Sequence, residues 1–240
     1  MVGVILAAGD GRRLKESSNE DCCKPLIKLK GKRLIEYSLD NLINLDISQA
    51  YIVIGKEGDL IKKHLGELYK SIKLNYVIQE QQYGLMNAFM QAVSCIDTDE
   101  SVVLQLSDEI FIDLKIEEIR RTIASEKYDF YCGVTYEDDA EKIKNNFSVN
   151  ADHNGNMIGC VEKPFEVINN IKGTGFCIFS SQTVQLLTEN YAGNRKINDL
   201  CDYMNILISK NKKGFALHIA EKEFNINTFS DLHEVQTFFE

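Results

Sequence analysis

The sequence contains very little proline and no stretch with the composition of a linker. Of its 240 residues only 2 are proline, and no Gly/Ser-rich or low-complexity segment divides the chain. A chain of this length can bury a sizeable hydrophobic core. We therefore expect one domain over residues 1–240, rather than two small ones, with residues 1–115 and 116–240 carrying different parts of one site.

Cysteine is present but lacks the patterns of a disulfide framework or a metal site. The 7 cysteines include no CxxC pair, and several lie in apolar runs, where cysteine behaves as a small hydrophobic residue. No signal peptide is visible, and no apolar run reaches the length that spans a membrane. We therefore expect reduced thiols in a cytoplasmic protein without a membrane partner.

Positive charge is too sparse for a nucleic-acid-binding surface. The formal net charge is −9, and no basic cluster large enough to release counterions from a duplex occurs, so we expect no nucleic-acid partner. The 4 histidines are scattered, and no Ser/His/Asp set for nucleophilic catalysis is visible. The missing nucleophilic set favours chemistry without a covalent intermediate on the protein.

Short apolar runs alternate with amphipathic stretches along the chain. The alternation predicts an α/β fold whose first half is βαβαβαβ, with a parallel sheet and helices on both faces. In the second half, Phe147–Met157 predicts an inserted hairpin that forms a lid or a substrate wall. The predicted strands are Val2–Ala7, Ala50–Ile54, Leu74–Ile78, Val102–Leu106, Phe130–Val134, Met157–Glu162, Gly175–Phe179 and Phe215–Ile219. The predicted helices are Leu34–Leu45, Asp59–Leu68, Leu85–Val93, Ile116–Ala124, Ser181–Leu187, Ile197–Ile208 and Ser230–Phe239.

The first predicted strand runs directly into a loop of small residues. A loop without bulky side chains can bring backbone N–H groups to one point and close around phosphate oxygens. No Gly-Lys-Ser/Thr follows the glycines, so the loop is not a Walker A loop. Arg13 and Lys24 add cations beside it. The residues predicted to bind a nucleotide polyphosphate here are Leu6, Ala7, Ala8, Gly9, Gly11 and Arg12.

The string LAAGDGRRL, followed by Lys24-Pro25-Leu26, resembles the LAAGxGxRx…PKxL signature of the nucleotidyltransferases that make sugar nucleotides. Two departures are Arg12, where a small residue is usual, and Cys23, where proline often precedes the lysine. The resemblance implies a Rossmann-like three-layer αβα sandwich of the glycosyltransferase A type, with a mostly parallel mixed sheet and an acceptor-side hairpin. It also implies that Arg13 holds the leaving pyrophosphate and that Lys24 bridges donor and acceptor phosphates.

A glutamine-containing stretch resembles the family's Q-x4-G-[LT]-A-x-A segment. The resemblance assigns nucleotide binding to Gln79, Gly84 and Leu85. A glutamine amide offers a donor and an acceptor together, which suits the imide edge of uracil or thymine and can adapt to cytosine. The sequence therefore favours a nucleoside triphosphate (NTP) with a pyrimidine base.

Two further segments resemble the family's metal-binding positions. Asp108 ends a predicted buried strand, where a carboxylate is costly unless it holds a cation or a donor, so we expect it to be catalytic and to bind Mg²⁺. The adjacent Glu109 is expected behind it or in solvent. The segment before the last helix resembles D-x-G-T-x-x-D-L, which puts a second metal ligand at Asn225, with Asn227 as the competing choice and Ser230 as the helix cap.

Two shorter resemblances predict the residues that bind the acceptor. Glu162 and Lys163 match the family's EKP segment, so Lys163 would pair with the substrate phosphate and Glu162 with its hydroxyls. Thr174 and Gly175 match a polar-Gly segment that leads into a strand and would line the acceptor pocket. The stretch 146–148 lacks the glycine common in hexose-phosphate enzymes, which leaves open another kind of acceptor.

Together these residues predict transfer of NMP from an NTP to a sugar 1-phosphate or similar phosphorylated acceptor, with release of pyrophosphate. A cytidylyltransferase acting on a phosphate or phosphonate such as phosphocholine stays open, with Tyr83, Tyr131, Tyr136 and Glu162 as candidates to surround a cationic head group. A non-catalytic nucleotide-binding regulator is a second alternative, favoured by Asn225 in place of aspartate. A dinucleotide-binding oxidoreductase is disfavoured because GxGxxG is absent. The oligomeric state is not fixed by the sequence, and a homo-oligomer stays open.

Overall fold

The structure is a computed structural model that describes residues 1–9, 11, 14, 23–81, 83–97, 99–193 and 197–239. Its strands are β1 Val2–Ala7, β2 Lys28–Leu29, β3 Lys32–Arg33, β4 Gln49–Ile54, β5 Leu68–Tyr69, β6 Ile72–Ile78, β7 Val102–Leu106, β8 Glu109–Ile112, β9 Phe130–Tyr136, β10 Phe147–Ala151, β11 Met157–Glu162, β12 Ile171–Phe179, β13 Gly214–His218 and β14 Lys222–Asn225. Its α-helices are α1 Leu34–Asn44, α2 Gly58–Leu65, α3 Leu85–Val93, α4 Ile116–Ala124, α5 Ala140–Lys144, α6 Ser181–Gly193, α7 Leu200–Ser209 and α8 Phe229–Phe238.

A 10-stranded mixed sheet forms the centre of the molecule. Strands β7, β1, β4 and β6 are parallel neighbours in that order, as the alternating first half predicts. Strand β12 runs antiparallel to β7, and β9 and β13 continue the sheet beyond it. Because β9, β10 and β13 run in the direction of the parallel group, only β5, β11 and β12 are reversed, and the mostly parallel arrangement is confirmed.

Helices cover both faces of this sheet. Alternate residues of β1 show why, since Val2 and Val4 pack with the apolar sides of α3, α6 and α7, whereas Ile5 and Ala7 pack with those of α1, α2 and α4. A strand buried on both faces carries apolar residues throughout, which explains the unbroken run at the amino terminus. The layers are therefore helix, sheet and helix.

The predicted hairpin is confirmed at one edge of the sheet. Strand β10 pairs antiparallel with β11 and continues beside the first part of β12. Phe147 lies opposite Gly173 on β12, and a β-carbon at Gly173 would lie 1.8 Å from the phenyl ring, so only glycine leaves room for it. On the outer edge, Asn205 of α7 bonds both the N–H and the carbonyl oxygen of Cys160, which protects that edge from further pairing.

A separate two-stranded ribbon, formed by β8 and β14, was not predicted from the sequence. It pairs residues more than a hundred positions apart, with Asn225 opposite Glu109. Ile110, Phe224 and Ile226 pack with α8 in a third apolar cluster. This ribbon joins the two halves of the chain.

The helices and the cysteines bear on two further expectations from the sequence. Among the described residues, no helix is long and apolar enough to cross a membrane. Of the cysteines within the described ranges, Cys95, Cys132, Cys160, Cys177 and Cys201 form no disulfide.

Candidate active site

A cavity of about 470 Å³ opens at the carboxyl ends of β1, β6 and β7. Side chains and loops that follow parallel strands meet at one edge of a sheet, so this is where a ligand site is expected. Its described lining consists of Leu6, Ala8, Gly9, Gly11, Lys24, Pro25, Gln79, Gly84, Leu85, Ala88, Leu106, Ser107, Asp108 and Asn227. Most of the predicted nucleotide-side residues thus lie around one space.

Two glycines allow close contacts beside the described residues that follow β1. A β-carbon at Gly55, which follows β4, would lie 2.7 Å from the carbonyl oxygen of Ala8. Gly11 has a φ of +59°, in the left-handed region that favours glycine, and lies against the side chain of Lys24. Ala7 differs from its neighbours: its side chain points into the opposite face of the sheet and is buried beside Ile5.

Lys24 begins a short 3-10 turn, Lys24–Leu26, with Pro25 in its first turn. The lysine is only 9% exposed, yet it lines the cavity. Arg12 and Arg13, the other predicted cations of this loop, lie outside the described residues.

Lys24 forms the centre of a polar cluster on the cavity wall. Its ammonium group makes an ion pair with the carboxylate of Asp108. It also donates a hydrogen bond of 3.2 Å to the side-chain oxygen of Asn227. A cation, a carboxylate and an amide oxygen are therefore in contact at a place open to a ligand.

The β8–β14 ribbon explains why these residues meet. Asp108 directly precedes β8, and its carbonyl oxygen accepts a 2.9 Å hydrogen bond from the N–H of Ile226, just after β14. Asp231 then accepts hydrogen bonds of 2.8 and 2.7 Å from the N–H groups of Asn227 and Thr228. The Thr228 hydroxyl, in return, caps helix α8, so the predicted cap at Ser230 is wrong by two residues.

Asn225 and Asn227 occupy different places in this cluster. Asn227 lines the cavity, whereas the side-chain oxygen of Asn225 accepts a 2.8 Å hydrogen bond from the Asn227 amide. The Asn225 amide in turn donates to Asn146 at 3.5 Å. Carboxylate and amide oxygens are the hard ligands that Mg²⁺ prefers, so the donor set of Asp108 with either asparagine fits that ion.

The predicted base-binding residues lie on the other side of the cavity. Gln79 follows β6 and is 5% exposed, and its backbone N–H is held by the carbonyl oxygen of Ile54 at 2.8 Å. Gly84 has a φ of +98° and precedes the first turn of α3, which begins at Leu85. The amino terminus of this helix, which is the positive end of its dipole, therefore lies at the cavity wall.

The four predicted acceptor-side residues do not contribute to the described lining of this cavity. Thr174 is 1% exposed and donates its hydroxyl to the carbonyl oxygen of Gly133 at 3.0 Å. Gly175 is enclosed, since a β-carbon there would lie 2.3 Å from Leu106. The side chains of Glu162 and Lys163 are more open and lie 3.8 Å apart.

Glu162 lies in an acidic neighbourhood. Its carboxylate, that of Asp199 and the Cys201 thiol have ligand atoms within 4.8 Å of one another. Partial burial, together with Asp199 and Asp202, raises the pKa of Glu162 above its ordinary value, and Lys163 only partly offsets this effect.

Glu109 is a buried residue behind the cavity wall, not a solvated one. It is 2% exposed and accepts hydrogen bonds of 2.8 and 2.9 Å from the Gly175 N–H with its two carboxylate oxygens. Burial, and then the charges of Glu223 and Asp108, raise the pKa of Glu109 well above its ordinary value. Glu223 is itself paired with the buried Lys172.

Sequence reasoning did not single out four lining residues: Pro25, Ala88, Leu106 and Ser107. Pro25 and Ser107 adjoin predicted site residues in sequence, Leu106 lies opposite Leu6 in the sheet, and Ala88 lies one helical turn from Leu85. Ser107 could have been found from its position directly after β7. The Ser107 N–H donates a 3.2 Å hydrogen bond to the carbonyl oxygen of Leu6, near the end of β1. Because β1 and β7 are parallel neighbours, Ser107 and Leu6 lie at the same edge of the sheet.

The family model described as "Nucleotidyl transferase" matches residues 2–239. The chain is 26% identical over 236 residues to the UTP--glucose-1-phosphate uridylyltransferase AglF of Haloferax volcanii, covering 98% of this chain and 95% of that protein.

Solved structures share the fold at lower identity. A Bacillus anthracis structure assigned as a glucose-1-phosphate thymidylyltransferase superposes with a TM-score of 0.87 at 22% identity, covering 99% of this chain and 94% of that one. The inositol-1-phosphate CTP transferase from T. maritima gives a TM-score of 0.79 at 16% identity, covering 98% and 94%. The predicted Rossmann-like three-layer fold is therefore confirmed.

Proposed function

The chain belongs to the nucleotidyl transferase family, and on that premise we propose that it transfers NMP from a pyrimidine NTP to a sugar 1-phosphate, releasing pyrophosphate. The observation that carries this proposal is the contact of Lys24 with Asp108 and Asn227 on the cavity wall. A cation beside metal-binding oxygens suits two phosphate groups that otherwise repel each other. The relative from Haloferax volcanii, by its name, acts on UTP and glucose 1-phosphate, which supports this acceptor class.

The reaction needs no nucleophilic side chain. An oxygen of the acceptor phosphate attacks the α-phosphorus of the NTP, and the bond from that phosphorus to the oxygen bridging to the β-phosphorus breaks. Pyrophosphate leaves with the electron pair of that bond. Catalysis then consists of positioning the two substrates and neutralising charge.

Lys24 is proposed to bridge the donor and acceptor phosphates. Its ammonium is held on the cavity wall by Asp108 and Asn227, so it already lies where phosphate oxygens can bind. Backbone groups at Gly9 and Gly11 would contact the donor phosphates. Arg13 stays our proposal for the group that holds the leaving pyrophosphate, with Arg12 beside it.

Mg²⁺ is the proposed cofactor, and Asp108 with Asn225 or Asn227 would hold it. The bound ion would supply positive charge that neutralises the phosphate oxygens. Of the two asparagines, Asn227 is favoured because it lines the cavity and contacts the lysine that pairs with Asp108. Asn225 would then fix the orientation of the Asn227 amide, to which it is bonded.

The base and the acceptor would contact separate groups of residues. Gln79, Gly84 and Leu85 are proposed to contact the base, which is supported by their common place in the lining. Glu162 and Lys163 are proposed to contact the acceptor through side chains that are 35% and 69% exposed. Thr174 and Gly175 would act from behind the wall, since both are enclosed.

A cationic acceptor such as phosphocholine receives less support. Tyr131, one candidate for an aromatic cage, is 4% exposed and packs in the core. Tyr136 is exposed but its ring packs edge-on against His218. We also propose that the enzyme works in the cytoplasm, which the free thiols of Cys95, Cys132, Cys160, Cys177 and Cys201 support.

The test is pyrophosphate release from a grid of substrates. UTP, dTTP, CTP, ATP and GTP would each be incubated with Mg²⁺ and with glucose 1-phosphate, other sugar 1-phosphates or phosphocholine. We expect release that requires both a pyrimidine NTP and a sugar 1-phosphate, and that is lost in Asp108→Asn. Release that depends on phosphocholine alone, or that needs no acceptor, would contradict the proposal.

A further inference from the structure

Four residues on the base side of the cavity form a hydrogen-bonded amide network, consisting of Gln79, Gly84, Asn87 and Gln91. The Gln79 amide nitrogen Nε2 donates to the Gly84 carbonyl oxygen at 3.3 Å and to Asn87 Oδ1 at 3.0 Å. The Gln91 amide nitrogen donates to the same Asn87 oxygen at 3.1 Å. Asn87 and Gln91 lie one turn apart on α3, so both face the end of β6.

These bonds fix which way the Gln79 amide points. An amide nitrogen carries two hydrogens, and both of those on Gln79 are used within the network. Its oxygen, Oε1, accepts no hydrogen bond from a described residue, while the side chain lines the cavity. Rotation of the amide by half a turn would bring Oε1 against two other oxygens, those of Gly84 and Asn87, with no hydrogen between them.

Asn87 is fixed in the same way. Its oxygen receives two N–H groups, one from Gln79 and one from Gln91. If the Asn87 amide rotated, its own NH₂ group would face both donors, and two hydrogen bonds would be lost. Gln91 therefore stabilises Asn87, and Asn87 stabilises the orientation of Gln79.

We propose that Asn87 is a positioning residue that sets the base specificity of this enzyme by holding Gln79 Oε1 toward the base. This inference rests on the proposed function, since it concerns the nucleotide end of the same cavity. A freely rotating glutamine can present a donor or an acceptor. With Asn87 in place it presents only an acceptor, so the favoured base offers an N–H group at that point.

The consequence is discrimination between uracil and cytosine. The two bases differ in hydrogen-bonding pattern at ring position 3 and at the exocyclic 4-position, where one offers a donor and the other an acceptor. A fixed acceptor contacts a donor on only one of them at a given position, and the other base leaves polar groups unpaired. Such a mismatch reduces binding on the order of 10-fold or more.

The experiment measures calorimetric affinities for UTP and CTP, with Mg²⁺ present, alongside kcat/KM for both nucleotides. The proteins compared are the wild type, Asn87→Leu and Asn87→Asp. Leucine has a similar size but no acceptor, so the Gln79 amide keeps only its longer bond to the Gly84 carbonyl oxygen and rotates more readily. We expect the UTP/CTP ratio to move toward unity by about 10-fold. Aspartate keeps an oxygen acceptor and is expected to retain the wild-type ratio. Gln91→Leu removes only the supporting bond and is expected to shift the ratio less.

A second change tests the same orientation from the other residue. Gln79→Leu removes the acceptor itself, and we expect it to lose the discrimination even if Asn87→Leu does not fold. The inference is overturned if wild type binds UTP and CTP equally, if Asn87→Leu keeps the ratio, or if Asn87→Asp loses it as leucine does. Because the calorimetric ratio needs no turnover, these results are separate from failure of the proposed function, which would appear as absent pyrophosphate release.

Discussion

Two buried lysines of this chain pair with carboxylates in places of opposite character. Lys24 contacts Asp108 on the wall of a cavity and has a second partner in Asn227. Lys172 contacts Glu223 where the two side chains are 3% and 1% exposed. Both pairs join the same ribbon to the rest of the molecule, yet only the first is placed where a substrate can replace its internal contacts.

The comparison shows how the degree of burial distinguishes a charged pair that can bind substrate from one that only stabilises the fold. A lysine between a carboxylate and an amide oxygen at a cavity exchanges those partners for phosphate at little cost, because it remains charged and paired. A fully enclosed pair cannot exchange partners, and removing one member leaves an unpaired buried charge. We therefore expect substitution of Lys24 to lower turnover and substitution of Lys172 to lower stability.

The largest expected effect is on turnover. Lys24→Ala should lower kcat by two to four orders of magnitude, about 3–5 kcal/mol in the activation barrier, because it removes a charge-assisted contact to both phosphates. The measurement is pyrophosphate release under saturating substrates, with circular dichroism to verify folding. Lys28→Ala, on an exposed residue nearby, is the matched control and should change neither. Near-normal turnover in a folded Lys24→Ala would remove this lysine from the mechanism.

Breaking the enclosed pair of Lys172 and Glu223 is expected to lower stability. Lys172→Met should lower the free energy of unfolding by about 3–5 kcal/mol, because Glu223 is left buried without a counter-ion. Glu223 already has one carboxylate oxygen, Oε1, without a hydrogen-bond partner among the described residues. Urea denaturation would measure this effect. In the double variant Lys172→Met/Glu223→Leu much of the loss should be recovered; if it is not, the ion pair is not the cause.

Substitutions of Asn225 and Asn227 would show which asparagine acts in the cavity. Asn227→Ala should lower kcat/KM about 10-fold, or ~1.4 kcal/mol, and Asn225→Ala less, since Asn225 acts through Asn227. The aspartate variants identify the metal ligand, because a carboxylate in that place should tighten the apparent Mg²⁺ affinity. Magnesium titrations of pyrophosphate release would show it. Tightening in Asn225→Asp alone would assign the ligand to Asn225 instead.

The smallest effect concerns pH. Since the pKa of Glu109 is raised by burial, the folded state holds its proton more tightly than the unfolded state does. This group therefore destabilises the fold progressively as pH rises above its ordinary pKa of 4.5 toward the folded-state value. Glu109→Gln keeps an acceptor for the Gly175 N–H and should gain stability relative to wild type over that rise, by about 1 kcal/mol. Denaturation at pH 5 and pH 8 would test the sign, and an unchanged difference would contradict it.

Much of the fold followed from local pattern. The bounds of β1, β7, β11, α3 and α4 agree with the predicted segments, because period and turn residues act within a few positions. Strands β8 and β14 were missed because each is short and is stabilised by a partner far away in sequence. For Glu109 the sequence left two places open, behind Asp108 or in solvent, and the contact with the Gly175 N–H decides for the buried one.

The candidate site also has a part that could be predicted from the sequence and a part that could not. The residues around Gly9, Gln79 and Asp108 were predictable because each follows a parallel strand, and such strands end at one edge. The burial of Thr174 and Gly175 could not be predicted, because Thr174 packs against Gly133 and Gly175 against Leu106 and Glu109, all distant in sequence. Asn227 was distinguished from Asn225 only by the bond to Lys24, which the spacing of two residues cannot reveal.

The most direct test of this account measures kcat and the midpoint of thermal unfolding for Lys24→Met and Lys172→Met side by side, at a temperature where both are folded. We predict that Lys24→Met loses turnover by at least about 100-fold with an unchanged midpoint. Lys172→Met should retain turnover within a few-fold while its midpoint falls by many degrees. The account is contradicted if Lys24→Met stays active, or if Lys172→Met loses activity as severely while its midpoint is unchanged.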